Sequence, residues 1–438
     1  MKKRFLKNLV VLLTVTSLSA CSNGGSVKQL RNPEGLNHSY QYEDYSSAGF
    51  KIFKDKMQVF ANKLSHAITN HYFKEGENLI ISPLSIELCL GLAVRSTNGQ
   101  TRRELLEAFD INYDSFNQYY KLWFNTINNK AYTNTKDLAS ELSLINSIWI
   151  DNDVSLLGNC LDALRDDYYC YSYHVDFDGD NKTANEKIKD FIKQKSHGLL
   201  NPDLGISPET LFVLMNTIYL KDIWNDVGSD LKYASSDFNF KNINGSYSSK
   251  KLLQGYYNDG KAIETDDYSA FFTETSHYYR LFFIKPHENK ELKNIFNKAT
   301  MDYVLDSSHY VEVDEEKLEK YHTRCLFPEF NVESRLDLKN LLLEDFNVET
   351  LFDQRCDFSN ITNTNSPVFC TDLQQVAKLK VDKKGIEGAA VTYLVAGGAA
   401  GPGPYTDIYE NFVVDKEFGY ILTAGDNVVF SGVVTNID

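Results

Sequence analysis

The chain has 438 residues, is 42% hydrophobic and 13% aromatic, and carries a formal net charge of −15. A chain of this make-up can bury a large core, which excludes disorder for most of its length and allows one big domain or two medium ones. The acidic balance argues against nucleic acid as a partner, because its phosphates would be repelled, and favours a soluble protein working among neutral or basic partners.

The first twenty residues carry export information rather than fold. Lys2, Lys3, Arg4 and Lys7 give a cationic start, residues 9–16 an apolar middle, and Leu18-Ser19-Ala20-Cys21 a small-residue ending. This pattern resembles bacterial lipoprotein signals. The resemblance implies a lipid on Cys21, a membrane reached through that anchor, and a place at the bacterial outer membrane or cell surface. An ordinary secretory signal would leave the protein untethered. No later run of eighteen apolar residues follows that could span a bilayer. Residues 22–47 are polar and without period, so 21–48 is expected to be a flexible tether and 49–438 the folded domain.

Helical periods come next. Phe53, Met57, Phe60, Leu64 and Ile68 recur every three or four residues and form one apolar stripe. A second helix is predicted to start near Pro83-Leu84-Ser85 and run through IELCLGLAV, and a third to follow Thr101 in TRRELLEAF. NEKIKDFIKQKSHGLL is again helical in period. TLFVLMNTIYL is a continuous β-prone run, consistent with a strand covered on both faces. The final hundred residues read as strands: RCLFPEFNVES, VAKLKVD, NFVVDKEFGYIL and NVVFSGVV. Helices early and strands late give an α+β order.

Enzyme signatures fail on inspection. GYYNDGKA, Gly255 to Ala262, imitates a phosphate loop, but Ala262 stands where a hydroxyl must ligate magnesium. DFDGDNK from Asp176 alternates carboxylates, yet Asn181 replaces the turn glycine and Lys187 the closing glutamate of a calcium loop. It reads as a solvated acidic turn. No GxSxG, HExxH or GxGxxG occurs. No catalytic residue, cofactor or metal site is therefore expected. Besides Cys21, the cysteines match no zinc spacing; Cys89 lies in an apolar run, and a Cys356–Cys370 bridge is geometrically open, though a chain this long needs no staple.

GIEGAAVTYLVAGGAAGPGP, residues 385–404, is nearly uncharged and lies between strands. Drawn as a strand, it puts Ile386, Gly388, Ala390, Thr392, Leu394 and Ala396 on one face, all small or apolar. Its only charge, Glu387, falls on the other face with Ala389, Val391, Tyr393, Val395 and Gly397. No proline occurs before Pro402, so every ladder bond of a central strand is available. The remainder, GGAAGPGP, is loop chemistry. The segment reads as a loop that could become a strand; a plain glycine-rich surface loop would need no such face.

Several separated motifs then resemble the serpin family, in the family's order, over about residues 50–438. NLIISPLSI (Asn78 to Ile86) is similar to its Asn-x-x-x-Ser-Pro-x-Ser helix start, and TNGQTRRELLEA to its Gly-x-Thr-x-x-Glu-Leu run. LMNTIYLKDIW (Leu214 to Trp224) resembles the Asn-x-x-x-Phe-Lys-Gly-x-Trp strand, LFPEFNVESRLDLKNLL the Leu-Pro-x-Phe-x-x-Glu-Ser segment, and VVFSGVVTNI the closing strand.

The resemblance implies one α+β domain of three β-sheets and eight or nine helices, monomeric, with an exposed reactive loop. It also implies a single-use inhibitor rather than an enzyme. A serine or cysteine protease attacks the loop, forms an acyl-enzyme, and is trapped when the cut loop inserts as a new strand. The hinge and inserted segment would be Gly385, Ile386, Glu387, Gly388, Ala389, Ala390, Val391 and Thr392. Family spacing places the cut near Ala399–Ala400, with Gly398 or Tyr405 as alternative registers because the loop's C-terminal side is longer than usual. A small Ala399 suits elastase-like or subtilisin-like targets, and the lack of any basic residue between Lys384 and Lys416 disfavours a trypsin-like one. Ser82, Ser85, Asn216, Gln375, Trp224 and Lys221 would control opening of the sheet. Five positions depart from the family: Lys383 replaces an acidic residue, Gln375 a histidine, Asp222 a glycine, Ile386 a Thr or Ser, and Gly388 an Ala. Ile386 and Gly388 invite the alternative of a non-inhibitory serpin-fold binding protein. A nutrient-binding surface lipoprotein would explain the tether but not the ordered motifs.

Overall fold

The stripe of Phe53, Met57, Phe60, Leu64 and Ile68 closes into the Ala48–Tyr72 helix with all five residues buried. Ser47 caps it by accepting the Phe50 amide. Pro83 opens the Pro83–Ser96 helix, where its missing N–H costs nothing, and Ser82 caps that helix through the Ser85 amide. The computed structural model describes residues 27–36, 42–128, 140–224, 231–364, 367–371, 373–386 and 406–437. Among these are ten α-helical segments and two 3₁₀ turns; Tyr42–Ser46 and Leu292–Ile295 are no more than five residues long.

Three sheets complete the α+β fold. The largest has seven strands in the order Val27–Arg31, Cys170–Val175, Glu141–Asp151, Phe212–Ile223, Gly385–Ile386, Gln374–Asp382 and Phe330–Asp337. A six-stranded sheet carries Leu79–Ile81, Asn427–Val434, Phe418–Ala424, Tyr279–Pro286, Tyr268–Glu274 and Ile263–Glu264. In the third, Glu319–Phe327 pairs with Tyr247–Asp259 and, in parallel, with Thr406–Val413. The three tryptophans are fully buried, and each indole N–H finds an acceptor: Asn427 Oδ1, Ser147 Oγ and the Asp382 carbonyl for Trp123, Trp149 and Trp224.

The structure corrects three expectations. The region 21–48 is not all tether, since Val27–Arg31 pairs with the edge of the large sheet and Tyr42–Ser46 is helical. A half-exposed five-residue edge strand has no two-faced pattern to read. RCLFPEFNVES divides between two sheets at Pro328, which has no N–H to continue a ladder. NFVVDKEFGYIL divides likewise, into Thr406–Val413 and Phe418–Ala424.

Candidate functional site: the gap in the large sheet

Gly385–Ile386 lies between two long strands and pairs antiparallel with both. Gly385 faces Ile223 and Asp382, and Ile386 faces Asp222 and Val381. A Cβ on residue 385 would run into the Asp222 carbonyl oxygen, so only glycine lets the chain turn in at this point. Ile386 is 0% exposed, as the alternation places it. Glu387, Gly388, Ala389, Ala390, Val391, Thr392, Gly398, Ala399, Ala400 and Tyr405 lie outside the described residues.

Below Ile386 no described strand separates the two long strands. A cavity of about 350 Å³ runs there, between residues 211–218 on one side and 373–378 on the other, with Ser82, Ser85 and Cys89 of the Pro83–Ser96 helix region as its floor. Burial pushes the Cys89 thiol up to about 12, so it stays protonated and acts as an apolar group.

One side chain ties a long strand to the floor at this end of the gap. Gln375 is buried; its Oε1 accepts the Ser82 amide at 3.0 Å and its Nε2 donates to the Ser82 carbonyl at 2.8 Å. The amide thus satisfies both backbone groups of the helix cap, where an imidazole offers one donor and one acceptor in a different geometry. Ser82 Oγ donates to the Val429 carbonyl at 2.7 Å, and Ser85 Oγ reaches the Asn216 carbonyl at 3.5 Å. Asn216 donates to Asn146 Oδ1 at 3.0 Å, while its own amide oxygen is buried with no partner among the described residues. The structure therefore gathers Ser82, Ser85, Asn216 and Gln375.

Trp224 and Lys221 belong to the opposite end. Trp224 stands just past the end of the strand that holds Asn216, and Lys221 lies five residues along it; the two are about 26 and 17 Å from Asn216. Trp224 Nε1 donates to the Asp382 carbonyl at 2.7 Å and packs on Phe327, closing the hinge from above. Asp222, in the glycine's place, has a fully buried side chain that accepts the His277 amide at 2.9 Å and His277 Nδ1 at 3.0 Å. The hydrogen bond to Asp222 raises the pKa of His277, against the opposing effect of burial. Sequence reasoning missed His277. A buried aspartate in a strand requires a partner, but nothing in the sequence points to one 55 residues away. At Lys383 the backbone amide donates to Glu329 Oε1 at 3.0 Å, so an acidic residue from another strand's edge secures the turn.

Other candidate chemistry resolves into structure. All six cysteines after Cys21 are thiols, so the Cys356–Cys370 bridge is not made. The acidic turn gathers Asp151, Asp153 and Asp178, whose carboxylate atoms lie within 4.8 Å of one another. Backbone amides of Asp153 and Phe177 bond the buried Asp151, and that of Gly179 bonds Asp176. A hydrogen bond that protonated Asp178 donates to the Asp176 carboxylate, together with burial and the neighbouring charges, holds the Asp178 pKa above the usual aspartate range. No described helix is long and apolar enough to cross a membrane.

These elements define an α+β protein of three sheets in whose largest, among the described residues, no strand fills the space under a two-residue hinge. A family model described as serpin (serine protease inhibitor) matches residues 55–437, and the chain belongs to that family. Serpins are protease inhibitors in general, some members being non-inhibitory. Iripin-1 of Ixodes ricinus is 27% identical over 379 residues, covering 82% of this chain and 89% of its own. Human neuroserpin is 22% identical over 367 residues, covering 80% and 83%. Among solved structures, the thermophilic serpin tengpin in its native state matches with a TM-score of 0.70 at 19% identity, covering 92% of this chain and 96% of its own. Thyroxine-binding globulin in complex with thyroxine matches with a TM-score of 0.68 at 19% identity, covering 87% and 98%.

Proposed function

We propose that this serpin is a single-use inhibitor of a serine or cysteine protease, held at a bacterial membrane by a lipid on Cys21. The observation that carries the reading is the hinge, laddered on both sides above a stretch where no described strand joins the two long ones. Continuing its two registers downward sets Gly388 between Leu220 and Leu379, Ala390 between Ile218 and Ala377, and Thr392 between Asn216 and Gln375. Leu220, Leu379, Ile218 and Ala377 are all buried, so the small inward face of the loop suits the space. The Thr392 hydroxyl would meet the partnerless Asn216 oxygen. Glu387, the one charge, would fall between Lys221 and Lys380, where a carboxylate is welcome.

Two anchors explain why a cut is needed. Ile386 is paired in the large sheet, and Thr406 is paired with Glu319 in another. An intact loop cannot enter fully without stripping the Thr406–Val413 strand from its partner. Cleavage near Ala399–Ala400 removes that restraint and leaves the acylated protease on the moving end. The small residues there favour an elastase-like or subtilisin-like enzyme.

Incubation of the lipid-free chain with pancreatic elastase tests this. A complex that survives boiling in detergent, with release of a C-terminal peptide beginning at Ala400, is expected. Cleavage with no complex and no rise in melting temperature would leave a non-inhibitory serpin-fold binding protein, the reading that the buried Asp222–His277 lock at the hinge favours.

A further inference from the structure

The docking of residues 27–36 fixes where the chain's N-terminal anchor leaves the fold. Val27 pairs with Val175, Lys28 with His174, Gln29 with Tyr173 and Arg31 with Ser172. Side chains secure the strand. Arg31 Nε donates to Asp162 at 2.7 Å, and Glu34 accepts from Tyr171 Oη at 2.9 Å and from Lys195 Nζ at 3.3 Å. Val27 and Leu30 pack against the core, and Pro33 is buried.

Strand register locates this exit relative to the hinge. Val175 pairs with Asp151, whose neighbour Ile150 pairs with Phe212 at the foot of the strand that ends beside the hinge at Asp222 and Ile223. The Val27–Arg31 strand runs from that foot toward the hinge end, so the chain before Val27 emerges at the foot. Ten residues, at about 3.3 Å each, separate the two levels by ~33 Å. Cys21 precedes Val27 by only six residues, which span about 20 Å at full extension. A free tether of 28 residues would let the domain tumble over its anchor; six residues do not.

We propose that a lipid surface attached through Cys21 faces the pole formed by Val27, Asp151, Val175 and Phe212, and that the reactive loop is therefore presented away from the bilayer. The surface is met through the short tether and not through attraction, because Asp151, Asp153, Asp176 and Asp178 crowd the same pole and repel anionic head groups. The proposal rests on the lipid at Cys21, and on the loop reading above for what is presented outward.

The test uses the full lipidated chain in phosphatidylcholine vesicles carrying an acceptor dye in the lipid. A donor dye is placed, through a non-natural amino acid, at the exposed position 178 of the anchor pole or at the exposed position 384 beside the hinge. Energy transfer several-fold stronger from 178 than from 384 is expected, and insertion of twenty Gly/Ser residues between positions 26 and 27 should remove the difference. Equal or inverted transfer overturns the proposal, as does a difference that survives the insertion or a Cys21 without lipid by mass spectrometry. Protease trapping is scored separately on the lipid-free chain: lost trapping with the orientation intact counts against the inhibitor reading alone, and equal transfer with trapping intact counts against the orientation alone.

Discussion

The two ends of the gap are held by different chemistry. At the hinge, backbone ladders run on both sides of Gly385–Ile386, and Trp224 and the Asp222–His277 pair close over them. At the far end one buried side chain, Gln375, reaches down to a helix cap on the floor of a cavity. Beyond the tight entry at Gly385, a ladder offers its backbone bonds to any residue whose side chain fits, whereas a side-chain clamp is specific and can be undone in one step. A strand entering at the hinge would therefore extend a register already set, and would reach the clamp at the level of Asn216 and Gln375.

The largest effect should come from blocking entry in the middle. Ala390→Arg would bury a cation between Ile218 and Ala377, which costs several kcal/mol when unpaired. Since about 1.4 kcal/mol is a tenfold change in partitioning, the yield of detergent-stable complex should fall by tenfold or more while the loop is still cut. An unchanged yield would mean that the hinge register does not continue downward.

Breaking the clamp comes second. Gln375→Ala strips the buried Ser82 N–H of its partner, while the Ser82 carbonyl keeps the Ile86 amide, and one buried group so orphaned costs about 1–3 kcal/mol. Urea unfolding should show the loss, with Gln375→His recovering only part of it because an imidazole cannot fill both bonds. At the other end, Gly385→Ala presses a methyl into the Asp222 carbonyl oxygen. It should destabilise by about 1–3 kcal/mol, as overpacking does. If Gly385→Ala proved worse than Gln375→Ala, the contrast between a tolerant ladder and an exacting clamp would be reversed.

Much of this was legible because the motif residues are polar joints between distant segments. Asn78 accepts the Thr435 and Asn436 amides, Glu104 accepts those of Glu349 and Thr350, and Ser334 accepts that of Ile80. Each needs one residue type at one spacing, which a sequence records directly. The Ala48–Tyr72 stripe was legible for a similar reason, since one face meets the core along its whole length. The Val27–Arg31 strand was not, because its burial is partial and its partner lies about 145 residues on. Gln375 was placed near Ser82 by resemblance, but its two hydrogen bonds to that residue depend on a separation of 293 positions that no local pattern carries. Asp222 was legible only as an oddity, and His277 gives it a physical role.

That role supplies the smallest expected effect. The Asp222 carboxylate, buried beside the hinge, favours the charged imidazolium of His277 and raises its pKa above the ordinary value of 6.5. A histidine whose pKa is higher folded than unfolded stabilises the fold fully below about pH 6.5, and that contribution fades as pH climbs through the raised folded value. Melting curves from pH 5.5 to 8.5 should therefore show the native chain losing stability above pH 6.5 relative to His277→Gln, in which the pair cannot charge. Because Asp222 is the register partner of Ile386, the same loss should loosen the hinge. Trapping of elastase, corrected for the protease's own pH profile, should then be faster at pH 8 than at pH 6 in the native chain and flat in the variant. A flat profile in both would place the pair outside the hinge's energetics and leave the ladder alone to hold that end of the gap.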